Sequence, residues 1–239
     1  VQSTTLALMA AQGEVPMPDC AIFADTGWEP RAVYDHLAWL EGVLPFPVHR
    51  VSQGNLREAV TAGGFSSVPF FTEGGGMGPR QCTYQFKLRP IHKKVRELLG
   101  GKTPKGGATM LIGISYDEMT RMKDSRVQYM VNRFPLVELE MRRHDCLNWM
   151  ERRGYPKPPR SACLGCPFKR DGEWRQTRDG PPDEWEDTLA ADRLLRQEGR
   201  RRNQYMHASR KPLDEVDFSS PEDCGQLNFL SECEGMCGV

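Results

Sequence analysis

The sequence has no surplus charge of either sign. Across 239 residues, 32 Lys and Arg balance 32 Asp and Glu, for a formal net charge of +0. A cationic coat that grips nucleic acid over the whole surface is therefore excluded, and only local basic patches remain available for that role. Long hydrophobic runs are also missing. No stretch approaches the roughly 18–20 apolar residues that cross a bilayer, and no basic-then-apolar leader precedes the first patterned segment, so the expectation is a cytoplasmic protein without a membrane partner. No internal repeat is visible. The chain is 38% hydrophobic and 27% charged, large enough to bury a core without staples as one domain, or one plus a small appendage. Its eight cysteines are thus not needed as a disulfide scaffold, and metal or redox chemistry becomes the leading explanation for them.

Patterning predicts an α/β fold. Ser3 or Thr4 can cap a short apolar helix that Gly13 ends. The chain opens directly on this helix, and residues upstream of Val1 are expected. Cys20 to Ala24 reads as a strand closed by Asp25-Thr26-Gly27, and Arg31 to Leu40 as a helix. Pro47 to Val51 reads as a second strand and Leu56 to Ala62 as a second helix of the alternation. That alternation indicates parallel βαβ units. A Gly-rich loop covers 63–78, a helix Phe86 to Leu99 and a Gly/Lys/Pro loop 100–107. Thr109 to Ser115 is a buried-strand candidate and Leu136 to Met141 a weaker one, followed by a helix from Cys146 to Arg153. Residues 1–154 are read as the α/β core and 155–239 as a mostly irregular and helical extension, with one helix from Glu184 to Gln197, no clear strand and a Cys-rich end.

The strongest local signal is Cys163-Leu164-Gly165-Cys166-Pro167. Two thiolates three positions apart, with Gly between and Pro after, turn tightly enough to face one metal centre. A redox dithiol and inert thiols are the alternatives. Further ligands must come from Cys82, Cys146, Cys224, Cys233 or Cys237. Cys82 precedes a helix bearing Lys87, Arg89, His92 and Lys93, and Cys146 opens another; both settings favour a thiolate, although Cys146 also reads as a buried small hydrophobe. Zinc and an iron–sulfur cluster suit such sulfur ligands equally. At the opening turn, Gln2-Ser3-Thr4 places N–H groups and hydroxyls at a helix start, where phosphate binds, unless the turn is a plain cap. Asp25-Thr26-Gly27 stands at the end of a predicted parallel strand, where ligands of open sheets sit, and a capped turn is its bland alternative. Asp25 is accordingly a catalytic candidate as well as a nucleotide contact. Gly113 to Glu118 ends another strand, with Arg121, Lys123 and Arg126 offered to phosphate or sulfate. Cys233 and Cys237, on the C-terminal segment, suit a mobile thiol nucleophile, extra metal ligands or a resolving pair. Arg200-Arg201-Arg202, with Lys169, Arg170, Arg175 and Arg210, forms either a solvated face or a path for a nucleic-acid backbone.

In this order, the pieces resemble the phosphoadenosine-phosphosulfate (PAPS) reductase family of the adenine nucleotide alpha-hydrolase superfamily. Val1 to Thr5 is similar to the end of its PP-loop, Ala24 to Pro30 to its strand-end Asp-Thr-Gly segment, Gln81-Cys82 with Lys87 and Pro90 to its cluster-ligand segment, and Ile112-Gly113-Ile114 with Asp117 and Arg121 to a third strand end. Cys163 and Cys166 fall where iron–sulfur members carry their second cysteine pair. The resemblance implies a doubly wound, mainly parallel five-stranded sheet. It implies an adenosine nucleotide held by Gln2, Ser3, Thr4, Asp25, Thr26, Gly27, Gly113, Asp117 and Arg121. It also implies a cluster, 4Fe–4S with zinc as the alternative, on Cys82, Cys163, Cys166 and, as favoured fourth ligand, Cys146, a tail cysteine or no protein group at all being the alternatives. Several positions depart from the family. The PP-loop glycines would lie before Val1, Gln2 stands where ATP-splitting relatives carry Asp, Cys82 stands alone where cluster-bearing reductases have a pair, and Ser115 replaces a frequent Arg. The expected activity is ATP-dependent, Mg²⁺-assisted sulfur transfer to DNA or tRNA from a sulfur donor. The alternatives are reduction of PAPS or adenosine phosphosulfate by the Cys233 thiol with a thiol reductant protein as partner, and a non-catalytic zinc-bound relative.

Overall fold

The computed structural model describes residues 1–62, 68–196 and 203–219. In chain order it forms α1 (Gln2–Ala11), β1 (Ala21–Asp25), α2 (Arg31–Val43), β2 (Val48–Ser52), α3 (Leu56–Thr61) and β3 (Phe71–Thr72). A π-helical turn (Thr83–Leu88) runs into α4 (Arg89–Leu98); β4 (Ala108–Leu111), a 3-10 turn (Tyr116–Arg121), β5 (Met130–Arg133), α5 (Pro135–Glu138) and α6 (Arg143–Arg152) follow. The remaining elements are α7 (Asp171–Arg178), α8 (Pro182–Leu194), β6 (Gln204–Tyr205) and a 3-10 turn (Leu213–Glu215). The fold is α/β. Among the described residues the strands pair two by two: β1 with β2, β4 with β5 in parallel, and β3 with β6 antiparallel. A five-stranded sheet is not seen among them.

Chain contacts divide the protein into two compact units that cut across sequence order. Val1–Ala24, Arg31–Val51 and Leu88–Ser161 make the first; Asp25–Pro30, Ser52–Lys87 and Ala162–Val239 make the second. In the first unit α1 is apolar nearly all round, as a helix enclosed by its neighbours must be, and buries Thr5, Leu6, Leu8, Met9 and Ala10. Helix α6 presents Cys146, Trp149 and Met150 at i, i+3 and i+4, one stripe of its surface. Leu136, Val15 and Phe46 complete that core. The second unit packs Trp174, Phe70, Phe218, Leu195, Met206 and Leu213. There the buried Asp192 accepts the Leu213 N–H at 3.0 Å and pairs with Arg196, tying α8 to the segment that follows.

Several expectations are corrected. Leu136 to Met141 is not a strand. Pro135 fixes φ and lacks an N–H, so it starts a helical turn at α5, and the strand is the preceding Met130–Arg133. The expected strand Thr109 to Ser115 ends at Leu111, because Ile114 N–H turns back to Ile112 O at 2.9 Å. The helix expected from Phe86 begins earlier, as the π turn at Thr83. Residues beyond 155 hold more order than their composition suggested, with α7 starting where Glu173 accepts the Arg170 N–H at 2.8 Å and β6 pairing with β3.

Truncating Met150, 1% exposed in the first core, to Ala is expected to cost about 2–5 kcal/mol. Leu139→Ala, at a site 48% exposed, should cost about 0.5 kcal/mol or less. Urea denaturation of both variants checks the contrast.

Candidate functional site

Candidate chemistry is found separately in each unit. In the first, the start of α1 meets the end of β4. A Cβ placed on Gly113 would lie 2.6 Å from Ser3 N, 2.7 Å from Ser3 Cα and 2.8 Å from Ser3 Oγ, so only glycine permits this approach. Helical bonding begins with Thr5 N–H to Val1 O at 2.9 Å, and the N–H groups of Gln2, Ser3 and Thr4 are not used by the helix itself. Gln2 is nearly buried and acts as a hub. Its Nε2 donates to Ser115 Oγ at 3.3 Å and Glu118 Oε2 at 3.0 Å, and its Oε1 accepts from Arg143 at 3.0 Å. The Arg143 backbone N–H donates to Asp117 Oδ1 at 3.0 Å, and Arg121 pairs with Glu118 at 2.7 Å. Thr4 Oγ1 lies 3.3 Å from His36 Nε2, an imidazole whose pKa is lowered first by burial. These groups gather donors, two guanidinium groups and the carboxylates of Asp117 and Glu118 beside a helix start, where the free amides are the part suited to an anion.

In the second unit the turn 25–30 is pinned from several sides. Asp25 Oδ1 accepts the Gly27 N–H at 2.8 Å, and Gly27 takes a φ of +68° with Asn55 against it. Leu164 N–H donates to Trp28 O at 2.8 Å, and a side chain on Gly165 would overlap the Trp28 indole, so the glycine between the two cysteines serves packing as well as turning. Trp28 Nε1 in turn donates to Asp187 at 2.9 Å. At the centre stands Glu29, 4% exposed. Its Oε1 accepts from Thr26 at 3.3 Å and from the Cys163 thiol at 3.6 Å and pairs with Lys87 at 3.2 Å, while its buried Oε2 has no hydrogen-bond partner among the described residues. Thr26 Oγ1 is 3.3 Å from the same sulfur.

Burial, with Glu29 next, pushes the Cys163 thiol up to about 12, and burial also raises Cys82, against the pull of Arg80. Cys82 is close enough for its charge to oppose one on Cys163, and both pack on the second core. Cys166 closes the CxxC turn, its N–H donating to Cys163 O at 3.0 Å. Among the described residues no three His, Cys, Asp or Glu side chains are already drawn around one point. Cys82, Cys163 and Cys166 are soft donors of the same unit, with Lys87 paired to Glu29 beside Cys163.

Cys146, the favoured fourth ligand of the sequence reading, is wholly buried in the apolar core of the first unit, and Cys82, Cys163 and Cys166 belong to the second. Burial, its largest influence, raises the Cys146 thiol to about 11. Cys20, where the sequence reading began the strand, is half-buried just before β1. Gln2, Ser3, Thr4, Gly113, Asp117 and Arg121 are together in the first unit; Asp25, Thr26 and Gly27 are in the second. Cys224, Cys233, Cys237 and Arg200 to Arg202 lie outside the described residues.

Among the basic residues of the extension, Lys169 is committed to Leu164 O at 2.8 Å and Thr177 at 2.7 Å, and Arg175 to Phe218 O at 2.6 Å. Sequence reasoning missed Arg143, Glu118 and Glu29. It also missed His207, which bridges Asp171 and Ser209 at 2.8 Å each. The only signal for Glu29 was its place in the Asp-Thr-Gly turn. A shallow depression of the first unit, lined by Met141, Asp145, Asn148, Trp149, Arg152 and Arg153, contains none of the expected site residues.

Gly113→Ala is expected to destabilise by about 1–3 kcal/mol through overpacking, whereas Gly42→Ala, at an α2 position with nothing within 4 Å, should be neutral or stabilising; thermal melts compare them. In metal-free protein, Cys163 should be alkylated by iodoacetamide far more slowly than in the denatured chain at pH 8, with a rate still rising above pH 10. Because its folded pKa lies above the 9.0 reference, the stability contributed by the neutral thiol is complete below pH 9 and is lost as pH climbs toward 12. No family model, no curated protein and no solved structure matches the chain.

Proposed function

We propose that the protein is an adenosine-nucleotide-dependent enzyme of sulfur chemistry, akin to the PAPS reductase family, that activates a nucleic-acid substrate with ATP and transfers sulfur to it. The doubly wound five-stranded sheet is part of this reading. The observation that carries it is the approach of Gly113 to the start of α1, where Arg143 donates to the Gln2 side chain and Arg121 pairs with the neighbouring Glu118. Amides at a helix start and flanking guanidinium groups are what a polyphosphate or phosphosulfate requires.

In this reading a substrate oxygen attacks the α-phosphorus of ATP and pyrophosphate leaves; sulfur then displaces AMP. The chain's own residues orient and neutralise. Gln2 is an amide and takes up no proton near neutral pH; held by Ser115, Glu118 and Arg143, it fixes the position of the Arg143 guanidinium. Asp117 holds the backbone at the start of α6, where Arg143 sits. Cys82, Cys163 and Cys166 are the residues that would hold an iron–sulfur cluster or zinc, which supplies a site for sulfur when bound. The presence of Gln2 in place of Asp favours a second reading, reduction of a sulfonucleotide in which the Cys233 thiol takes the sulfonate as a thiosulfonate and releases the nucleotide.

The test is pyrophosphate release from ATP by anaerobically purified protein, with and without DNA or tRNA. Release stimulated by one nucleic acid is expected, and Arg143→Ala should lower it by about 10²-fold or more, the scale of losing a charge-stabilising donor. No release under any condition removes the first reading. Sulfite formation that disappears in Cys233→Ser would establish the second.

A further inference from the structure

Ser209, His207 and Asp171 form a continuous hydrogen-bonded row in the second unit, at a place that the nucleotide reading does not use. His207 follows β6 and is 9% exposed, with Phe218 against its ring at 5.7 Å between centroids. Its Nε2 lies 2.8 Å from Oδ1 of Asp171, the first residue of α7. Its Nδ1 faces Ser209, with the hydroxyl oxygen at 2.8 Å and the backbone N–H donating at 3.1 Å. A backbone amide can only donate, so Nδ1 is the unprotonated nitrogen, and the ring proton is on Nε2, where Asp171 accepts it. In that tautomer the Ser209 hydroxyl has a base to donate to. The bond to Asp171 accounts for packing on its own, since it ties the segment after β6 to α7; Ser209, by contrast, is exposed. The next residue, Arg210, holds a φ of +56°, a left-handed conformation shared by only one other non-glycine residue among those described, Glu140, and its N–H bonds back to His207 O at 3.0 Å. Backbone held in that region against its preference is a feature of sites that fix a side chain in place.

We propose that Ser209 is a nucleophile, His207 its general base and Asp171 the residue that positions the imidazole, in a second site that takes carboxylic esters with short acyl groups. A hydroxyl bonded to a base that a third group orients is the pattern of covalent acyl transfer. Ser209 Oγ attacks the ester carbonyl carbon, and its proton passes to His207 Nδ1. The ester C–O bond then breaks, and the same proton goes to the departing alkoxide. Water attacks the acyl-serine in its turn, giving up a proton to Nδ1; the carboxylic acid leaves and the proton returns to Ser209 Oγ. Asp171 meets the positive charge that the imidazole carries in between. An ester suits an exposed hydroxyl better than an amide does, because an alkoxide or phenolate leaves more readily than an amine.

The experiment treats the full chain with a fluorophosphonate probe and, separately, with p-nitrophenyl acetate. Peptide mass spectrometry maps the adduct, and stopped flow follows the nitrophenolate. Wild-type protein should carry the phosphonyl or acetyl group on Ser209 and release a burst of about one nitrophenolate per chain. Ser209→Ala should lose both adduct and burst with its thermal melt unchanged, and His207→Gln should slow acylation by about 10²-fold or more. Asp171→Asn tests positioning, because its amide can donate to Nε2 and so displace the ring proton. That variant should acylate more slowly, and the nitrogen NMR shifts of the His207 ring should leave the Nε2-protonated pattern. An unmodified Ser209, or one labelled no faster in the folded protein than in the urea-unfolded chain, overturns the proposal. Acylation of Ser209 at the wild-type rate in His207→Gln overturns it as well, and wild-type acylation in Asp171→Asn removes Asp171 from the site.

Discussion

The second unit is organised around one buried charge. Glu29 joins three segments that are far apart in sequence: its own turn at 25–30, the π turn that supplies Lys87, and the loop that supplies Cys163. A carboxylate removed from water is tolerable only when opposite charge and hydrogen bonds meet it. Removing Lys87 would leave that carboxylate uncompensated, an effect of about 3–5 kcal/mol for a fully buried pair and less here because Lys87 is one-third exposed. The π turn gains a function in this light. It opens the helix start between Cys82 and α4, and Lys87 on it reaches Glu29. Trp28 and Gly165 add the steric half of the same constraint, since the indole occupies the volume that any side chain at position 165 would need.

The first unit depends on a neutral counterpart. Gln2 uses both ends of its amide, donating to Ser115 and Glu118 and accepting from Arg143. An Asp at that position could accept from Arg143 but would face Glu118 as a like charge, so the amide suits this neighbourhood in a way that a carboxylate does not. The residue that looked like a departure from an ATP-splitting pattern is thus matched by its surroundings: Glu118 paired with Arg121, Asp117 with the α6 backbone, and glycine at 113 to let the two segments meet.

Much of this was legible in the sequence where the signal was local. The helices at 2–11, 31–43 and 56–61 and the strands near 21 and 48 were visible as apolar periodicity bounded by Gly, Pro, Asn and Asp, and the CxxC turn as spacing alone. The errors have physical causes. Leu136 to Met141 has strand-like composition, but Pro135 commits the backbone to a helical turn before composition can act. Helix α7 was hidden because Trp174 is its one apolar side chain, and its stability comes from that fully buried indole and from Glu173 at its start. Cys146 met the local conditions for a metal ligand, while the apolar core around it is a non-local fact that the sequence did not display.

The sequence by itself determined an α/β alternation, a cysteine pair in a tight turn, and polar groups placed after strands and before helices. Those are properties of a few consecutive residues, read from spacing and propensity. Only the tertiary structure decided which of them have partners and which are sealed away. It set Glu29 against Lys87 and Cys163, Gln2 against Arg143 and Glu118, and Cys146 among Leu136, Met150 and Leu8. Desolvation and charge pairing act between groups more than fifty positions apart, and no local pattern records which of those groups will meet.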